Sequence, residues 1–482
     1  MPLPRTSLLL AAAAIACATA PATSAGRSAP APMAIVGGTL VDGTGAPPVK
    51  DSAVVVRAGR IECAGARSAC PVPAGAAVVD ASRKWVTPGL VDAHVHFSQT
   101  GWADGRPDAL DLRDRHPYEQ VEAGLRRHPE AFFRAYLCSG VTAVFDVGGY
   151  PWTLELPARA EADGLAPHVV AAGPLLSTWD FWLNLPAERQ FIYLSDEKAA
   201  REGVRYLAAE GAAAVKVWFI VVKDRPFEAM GALVRAAGDE ARRLGLPLIV
   251  HATGLREAKE ALRAGARLLV HGVGDLPVDD EFLRLAKEQG TTYCPTLTVL
   301  GGYLRLWEGA ASGKEPAVDD PGGCVDRATL ARVRETASAG ADRVDRKRLE
   351  ARAASLGERR KLEAENLRRV VAAGIPVAMG TDAGNPLTLH GPSVHAEMEA
   401  MQAAGLSPMQ VVVAATRNAA AAMGRLADLG TVEKGKVADL LLVGGDPTAD
   451  IANLRKVETV VRAGVVHPVG DLRAGPAPAP AR

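Results

Sequence analysis

The 482-residue sequence predicts an α/β fold, a (β/α)8 TIM barrel with a small β-sandwich domain built from the N- and C-terminal segments. In the middle of the chain, short apolar runs alternate with helix-like stretches, which is the pattern of parallel βαβ units. Eight such runs are present, and eight parallel strands can close into a barrel. The runs span residues 90–96, 142–147, 168–172, 214–219, 247–251, 267–271, 292–296 and 376–382.

The regions on either side of the barrel consist of short strand-like runs separated by turns. Residues 33–85 contain such runs around the turn Asp42-Gly43-Thr44-Gly45, and residues 426–468 show the same signature. We expect these two segments to pair into one sandwich; the alternative is two independent caps. The barrel then covers residues 86–425.

One connection inside the barrel differs from the others. Residues 300–346 are polar, contain Gly and Pro clusters, and are too long for an ordinary loop. We predict an irregular insertion here, which is either a lid over the site or a surface elaboration. A charged helix over residues 350–373 leads back to the last strand.

The first residues have the pattern of a targeting segment. A single positive charge at Arg5 precedes an apolar run at 8–16 that is too short to span a bilayer, and small residues follow. We predict a signal peptide over 1–25 and export to the periplasm or the medium, with no transmembrane span. Alternatives are lipidation of Cys17 and a disordered Ala-rich tail. A linker at 26–32 and a disordered tail at 469–482 complete the chain.

Composition restricts the choice of partners. Lys plus Arg and Asp plus Glu are both 55, so the formal net charge is zero, and aromatic residues make up only 5%. Neither value favours a nucleic acid or an anionic membrane surface as the partner. We expect a small-molecule or short-peptide substrate, and the sequence leaves a homo-oligomer open.

The cysteines allow disulfides in an exported protein. Apart from Cys17, an odd number remains, and no Cys-x-x-Cys spacing suggests a cysteine zinc site. Only Cys63 and Cys70 are close in sequence, and we hypothesise a bridge between them. The remaining cysteines are Cys138, Cys294 and Cys324.

The most informative residues are histidines at the end of the first barrel strand. His94 and His96 are two positions apart, so their side chains share one face of the strand and can hold one metal ion. The alternative is a pair of ordinary polar residues at a strand end. Four more potential ligands lie in or at the end of other apolar runs, where barrels of this type keep their active sites. They are Lys216, His251, His271 and Asp382.

Lys216 differs from the other candidates because it lies inside the apolar run 214–220. Burial lowers the pKa of a lysine and makes the neutral amine available. A neutral amine can add carbon dioxide and become a carbamate, whose two oxygens can bridge two metal ions. The alternative is a lysine that reaches solvent or pairs with a carboxylate.

Several motifs together make the chain resemble the amidohydrolase superfamily, which consists of metal-dependent hydrolases on a (β/α)8 barrel. The resemblance covers nearly all of residues 33–467. The motifs that carry it are Pro-Gly-Leu-Val-Asp-Ala-His-Val-His at 88–96, Ser-Gly-Val-Thr-Ala-Val at 139–144, Val-His-Gly at 270–272, Gly-Thr-Asp-Ala-Gly at 380–384, and Gly-Thr-Val-Glu-Lys-Gly-Lys-Val-Ala-Asp-Leu at 430–440.

The resemblance implies a centre with two divalent metal ions, for which Zn²⁺ suits the donors. His94, His96 and Asp382 would hold the more buried ion, and His251 and His271 the more exposed one. A carbamate on Lys216 and a hydroxide would bridge them. Asp382 would take the proton of that hydroxide and pass it to the leaving nitrogen, so that the enzyme cleaves carbon–nitrogen bonds in peptides or N-acyl amino acids.

The resemblance also separates branches of the superfamily. Deaminases of the adenosine-deaminase type have His-Ala-x-Glu after strand five, whereas this sequence ends the stretch with Gly254, which cannot transfer protons. The segments 380–384, 390–391 and 397–399 resemble the imidazolonepropionase-like and Xaa-Pro dipeptidase-like group. The alternatives are hydrolysis of a cyclic amide or lactone, deamination of a heterocycle, and a non-catalytic binding protein. Candidate substrate contacts are His390, Trp218 and Arg113.

Overall fold

The computed structural model describes residues 31–180 and 190–473. The predicted signal peptide and most of the predicted linker lie outside the described residues, as does the tail from residue 474 onward. Residues 469–473, which we assigned to that tail, instead include a short helix whose Val469 and Leu472 are buried. No helix in the described part of the chain has the length and apolar character needed to cross a membrane.

The strands are, in chain order, β1 (Met33–Leu40), β2 (Val49–Arg57), β3 (Arg60–Ala66), β4 (Ala77–Asp80), β5 (Trp85–Pro88), β6 (Leu90–Val95), β7 (Val141–Asp146), β8 (His168–Ala171), β9 (Leu175–Ser177), β10 (Phe191–Tyr193), β11 (Val215–Trp218), β12 (Leu248–His251), β13 (Ala266–Val270), β14 (Thr292–Cys294), β15 (Leu440–Val443), β16 (Val457–Arg462) and β17 (Val465–Pro468). The helices are α1 (Tyr118–Arg127), α2 (Glu130–Cys138), α3 (Leu156–Ala162), α4 (Glu197–Ala209), α5 (Phe227–Arg243), α6 (Leu255–Arg263), α7 (Asp280–Gln289), α8 (Val299–Ser312), α9 (Arg327–Arg334), α10 (Arg346–Ala372), α11 (Ser393–Ala403), α12 (Pro408–Val413), α13 (Ala419–Ala422) and α14 (Val469–Leu472).

The two terminal segments share one sheet, in the order β17-β16-β15-β5-β1-β2-β3, with β4 paired to β1. The antiparallel pair of β15 and β5 joins the C-terminal segment to the N-terminal one. Alternating apolar residues on these strands bury one face of the sheet in a common cluster, which includes Ile35, Val54, Leu440 and Leu442. This is the β-domain that the sequence predicts, built from both ends of the chain.

The middle of the chain forms a ring of parallel strands. β6, β7 and β8 pair in one sheet, and β9, β11, β12, β13 and β14 pair in a second. β8 and β9 are successive parts of one barrel strand, since only three residues separate them. The Ala213 amide donates to the Ala171 carbonyl at 3.0 Å and so connects β8 with the chain leading into β11.

Residues 376–383 close the ring as its eighth strand. On one side, the Tyr293 amide donates to the Pro376 carbonyl at 2.8 Å; on the other, the Asp382 amide donates to the His94 carbonyl at 2.7 Å. The segment pairs only through isolated bridges, because its end departs from extended geometry at Asp382, where φ is 62°. The predicted eight-stranded barrel is therefore present, with an irregular last strand next to the site.

The insertion differs from its prediction, because much of residues 300–346 is helical. α8 and α9 lie there, and α10 begins at Arg346 instead of at residue 350. Apolar side chains of this segment bury against the loop after β6 in a cluster that includes Trp102, Leu306 and Val333. Burial of these side chains favours helices where Gly and Pro content alone suggested irregular chain.

The structure contains two disulfides among the described residues. Cys63 pairs with Cys70, as we hypothesised, and Cys138 of α2 pairs with Cys324 of the insertion, with a Cα–Cα distance of 5.5 Å. The second pair is separated by 186 residues, so no local spacing could reveal it. Cys294 is free and buried.

Candidate active site

The six side chains predicted as metal ligands all line one cavity of about 260 Å³ at the carboxyl ends of the barrel strands. We call these six residues the floor of the site. They come from five different strands or strand ends, so only closure of the barrel brings them together. The floor consists of His94, His96, Lys216, His251, His271 and Asp382.

Three of the floor residues converge on a single point. Oδ1 of Asp382 lies 3.2 Å from Nε2 of His94 and 3.1 Å from Nε2 of His96, and the two Nε2 atoms are 3.2 Å apart. All three residues are buried. Two imidazole nitrogens and one carboxylate oxygen in this arrangement form a donor set suited to a divalent cation.

Backbone contacts orient these ligands. Nδ1 of His96 donates to the Gly148 carbonyl at 2.6 Å, which leaves Nε2 as the unprotonated nitrogen that faces Asp382. The Asp92 carboxylate accepts from the His94 amide at 3.2 Å and from the Thr381 hydroxyl at 2.6 Å. Asp92 therefore holds the first and last barrel strands in register and contacts the backbone of His94, not its ring.

His251 and His271 form the second part of the floor. Their ring centroids are 4.3 Å apart, and Nδ1 of His271 is hydrogen-bonded to Oγ1 of Thr296 at 2.8 Å. His271, Thr296 and Asp382 adopt positive φ values of 76°, 46° and 62°. Non-glycine residues rarely adopt this conformation, and such strain is concentrated at functional sites.

Lys216 is the most unusual residue of the floor. Its side chain is 1% exposed, and its Nζ has no hydrogen-bond partner within residues 31–180 and 190–473. Burial lowers the pKa of Lys216 to about 7. Burial also holds the pKa values of His94, His251 and His271 well below their usual range, so these rings are neutral, which is the form that binds metals.

The floor fits a metal centre on its own geometry. Nδ1 of His94, Oδ1 of Asp382 and Nζ of Lys216 are buried polar atoms that lack hydrogen-bond partners in the part of the chain that the structure describes. Leaving such atoms unsatisfied is costly, whereas neutral imidazoles, a carboxylate and a modifiable amine are suitable ligands for divalent cations. The residues present therefore match the group that the resemblance implies.

The lining of the cavity also contains charged residues that the sequence analysis did not identify. We call them the rim. Arg106 donates to both carboxylate oxygens of Asp108, at 2.9 and 2.8 Å, and also donates to Oδ1 of Asn385. The same oxygen of Asn385 accepts a hydrogen bond from the Tyr303 hydroxyl at 2.7 Å. The remaining rim residues lie on one face of α10 and are Arg348, Arg352, Arg359 and Glu363.

The only sequence signal for the α10 residues is their helical spacing. Positions 348, 352, 359 and 363 recur at intervals that place them on one face of a helix. However, residues 346–361 carry so many charges that this stripe looks like an ordinary solvated face. Arg106 and Asn385 occur in loops, where spacing carries no such information.

The three predicted substrate contacts have different locations. Trp218 lines the cavity, with its ring centroid 6.1 Å from that of His251. His390 does not line it: this ring is buried, stacks on Phe132 and is hydrogen-bonded to Tyr136 at 2.9 Å. Arg113 is largely exposed and pairs with Asp111, outside the cavity lining. Of the three predicted contacts, only Trp218 therefore lines the cavity.

Comparison with known proteins places the chain in a family. A sequence profile of the amidohydrolase family matches residues 85–466. The 5-methylthioadenosine/S-adenosylhomocysteine deaminase of Symbiobacterium thermophilum is 26% identical over 446 residues, which are 86% of this chain and 85% of the relative. The imidazolonepropionase of Ralstonia nicotianae is 27% identical over 447 residues, covering 85% and 90%.

Solved structures agree with this assignment. A crystal structure of a Xaa-Pro dipeptidase with bound methionine superposes with a TM-score of 0.67 at 22% identity, and the match covers 91% of this chain and 100% of the other. At this identity the likeness establishes the fold. The profile match over the barrel, the shared fold and the cavity at the carboxyl ends of the strands all agree. The chain belongs to the amidohydrolase family and is a hydrolase of that superfamily.

Proposed function

We propose that the protein is a metal-dependent amidohydrolase that cleaves amide bonds in short peptides or N-acyl amino acids. The observation that carries this proposal is the position of Lys216, a buried amine with no partner among the described residues, beside Asp382 and the floor histidines. A storage or structural metal site has no need for such a lysine. A hydrolytic centre with two metals could use it, because a carbamate on Lys216 would supply oxygen donors for both ions.

The residues divide into two ligand groups in this proposal. His94, His96 and Asp382 would hold one divalent ion, and His251 and His271 the other. Lys216 would serve both after its neutral Nζ adds to carbon dioxide, which forms an N–C bond and releases one proton. Burial favours this reaction because it lowers the pKa of Lys216 to about 7 and so supplies neutral amine. Zn²⁺ is the ion that we propose, since imidazole and carboxylate ligands suit it.

Bound divalent ions would lower the pKa of a water molecule and polarise the substrate carbonyl. The protein supplies the proton transfer. The Asp382 carboxylate lies at the centre of the floor, with Oδ2 3.9 Å from Nδ1 of His271. We propose that it accepts the proton of the attacking water and delivers it to the leaving nitrogen, which must be protonated before the C–N bond breaks.

Deamination of a heterocycle is less well supported. Three residues after the end of β12 lies Gly254, which has no side chain to carry a proton. Thr253, the residue before it, lines the cavity, whereas Gly254 itself does not. Hydrolysis of a cyclic amide or lactone uses the same floor and is the main alternative.

We also propose that the protein is exported. The Cys138–Cys324 and Cys63–Cys70 disulfides support this, since such bonds persist in oxidising compartments. Mass spectrometry of the N-terminal peptide of the mature protein would test it. A free N-terminus near residue 26 supports signal cleavage, an acylated Cys17 supports a lipid anchor, and an intact N-terminus contradicts export.

The activity proposal is tested by product analysis. The purified protein, supplied with Zn²⁺, is incubated with dipeptides, N-acyl amino acids, lactones, cyclic amides and amino-substituted heterocycles, and products are identified by mass spectrometry. We expect free amino acids from the first two classes. Ring-opened acids or ammonia, with peptides intact, would contradict the proposed substrate class.

A further inference from the structure

The first turns of α10 present two guanidinium groups to the mouth of the cavity. Arg348 and Arg352 are four residues apart, so they lie on the same face of the helix, and both line the cavity together with the floor. Arg359 and Glu363 continue this face toward His271. One helix therefore reaches from the outer edge of the cavity to its floor.

Other cations of the rim are paired with carboxylates. Nε and Nη2 of Arg106 contact both oxygens of Asp108, and Nε of Arg359 donates to Oε1 of Glu363 at 2.8 Å. By contrast, the guanidinium groups of Arg348 and Arg352 have no ion-pair or hydrogen-bond partner among residues 31–180 and 190–473. The cavity mouth thus has two positive charges in excess of its own carboxylates.

An aromatic ring holds one of these two groups in position. The guanidinium of Arg352 lies over the ring of Trp307 at 4.6 Å from its centroid, and Trp307 is in turn fixed by a hydrogen bond from Nε1 to the Ala109 carbonyl at 2.7 Å. Stacking occupies the face of the guanidinium and leaves its in-plane N–H groups available. Partial burial of the guanidinium, and then the nearby charge of Arg348, lower the pKa of Arg352, so an anion placed between the two side chains would relieve an unfavourable contact.

We infer that Arg348 and Arg352 form a binding site for a carboxylate of the substrate, so that the enzyme selects substrates with a carboxylate on the part that points away from the floor. This inference rests on the proposed function, because the floor must hold the scissile amide. Arginine binds a carboxylate with two parallel hydrogen bonds, which fixes orientation as well as charge. The carboxylate at the mouth and the amide at the floor then set which bond is cleaved.

Two sources of this carboxylate fit the same chemistry, namely the C-terminal α-carboxylate and an acidic side chain. Four probes separate them: N-acetyl-leucine, N-acetyl-leucine amide, N-acetyl-glutamate α-amide and N-acetyl-glutamine α-amide. Binding is measured by calorimetry on the purified protein, and the same samples are analysed for hydrolysis by mass spectrometry. A probe that is not hydrolysed gives a Kd, and one that is hydrolysed gives KM and kcat.

In the wild-type protein we expect a carboxylate-bearing probe to bind roughly 10- to 100-fold more tightly than its neutral counterpart. Preference for N-acetyl-leucine over its amide assigns the α-carboxylate, and preference within the glutamate and glutamine pair assigns a side chain. In the variant Arg348→Gln/Arg352→Gln this preference should disappear while kcat stays within about twofold, since the lost contact holds the substrate equally well in the ground state and in the transition state. Arg346→Gln is the matched control: it removes one charge from the same helix at a position outside the cavity lining.

The outcomes separate the two proposals. Equal binding of charged and neutral probes in the wild type, or a preference that survives in the double variant, would overturn the arginine site. An intact preference without hydrolysis of any probe would overturn the proposed function alone. If Arg346→Gln also loses the preference for carboxylate-bearing probes, the effect would come from the total positive charge of α10. That result would also overturn the arginine site.

Discussion

The floor and the rim of the cavity are built in different ways. The floor uses strand ends of the barrel; five of its six side chains are buried, His251 is half-buried, and His271 and Asp382 have positive φ. The rim uses loops and one long helix, and its outer arginines, Arg348 and Arg352, are exposed. The floor has donor groups that could hold a metal ion, whereas the rim has charged groups on loops and on α10.

This difference has a physical reason. Catalytic groups must be held rigidly, and packed strands of a barrel provide that rigidity. Recognition of a particular substrate tolerates movement, so it can be placed on loops and on a helix outside the packed strands of the barrel. We therefore expect changes in the floor to remove catalysis and changes in the rim to alter KM.

The largest effect is expected for Lys216→Ala. The variant cannot form a carbamate and leaves a cavity among the floor histidines, so both activity and bound metal should be lost. Metal content by mass spectrometry and kcat/KM on the best substrate provide the test. Lys223→Ala, which changes an exposed lysine outside the cavity lining, should behave as the wild type. Full metal content with a full rate in Lys216→Ala would contradict the bridging role.

Asp382→Asn should have the next largest effect. The amide keeps the size of the side chain but cannot accept the proton of water, so we expect kcat to fall by roughly 10²- to 10⁴-fold. Metal content must be measured in parallel, because Asp382 is also a proposed ligand. A variant that keeps its metal and its kcat would assign proton transfer to another group.

Cys324→Ser should affect the rim more than the floor. The Cys138–Cys324 bridge ties the insertion to α2 across 186 residues, and removal of a native disulfide typically costs about 2–4 kcal/mol in the free energy of unfolding. We expect lower stability in urea and a KM raised several-fold, with metal content unchanged. Cys70→Ser, which removes the bridge of the terminal sheet, should leave KM unaffected. A drop in metal content in Cys324→Ser would show that floor and rim are not independent.

The smallest effect is expected for Trp307→Leu, which removes the ring beneath Arg352 but keeps an apolar side chain. Loss of about 0.5–1 kcal/mol of stacking predicts a KM for carboxylate substrates raised roughly two- to fivefold. Trp307→Phe retains an aromatic face and should keep most of the wild-type KM. Equal KM values for all three proteins would show that the ring does not position Arg352.

The barrel and the floor could be predicted from the sequence because their signals are local. Apolar runs mark strands, the spacing of His94 and His96 places both rings on one face, and Lys216 is conspicuous as a charge in an apolar run. The motifs shared with the amidohydrolase superfamily then connected these strand ends to one site. The predicted limits of the strands were also close to the observed limits, because a strand that is buried on both faces requires a continuous run of apolar residues.

The helices of the insertion, the Cys138–Cys324 bridge and the rim were not predictable in the same way. Each depends on contacts between residues that are far apart in sequence, such as Trp102 with the insertion or Arg106 with Asn385. The location of His390 also depends on tertiary contacts, since a histidine in a Gly-rich loop suggested a substrate contact, whereas its ring stacks on Phe132 and is buried outside the cavity lining.

The sequence by itself determined the type of fold, the positions of the strands and the identity of the floor residues, because periodicity and residue chemistry are local properties of a chain. Only the tertiary structure decided which charged side chains face the cavity. A charge on a helix such as α10 is stable in water on any exposed face, so its sequence position carries no information about what lies opposite. That information appears only when the barrel closes and the insertion folds over its mouth.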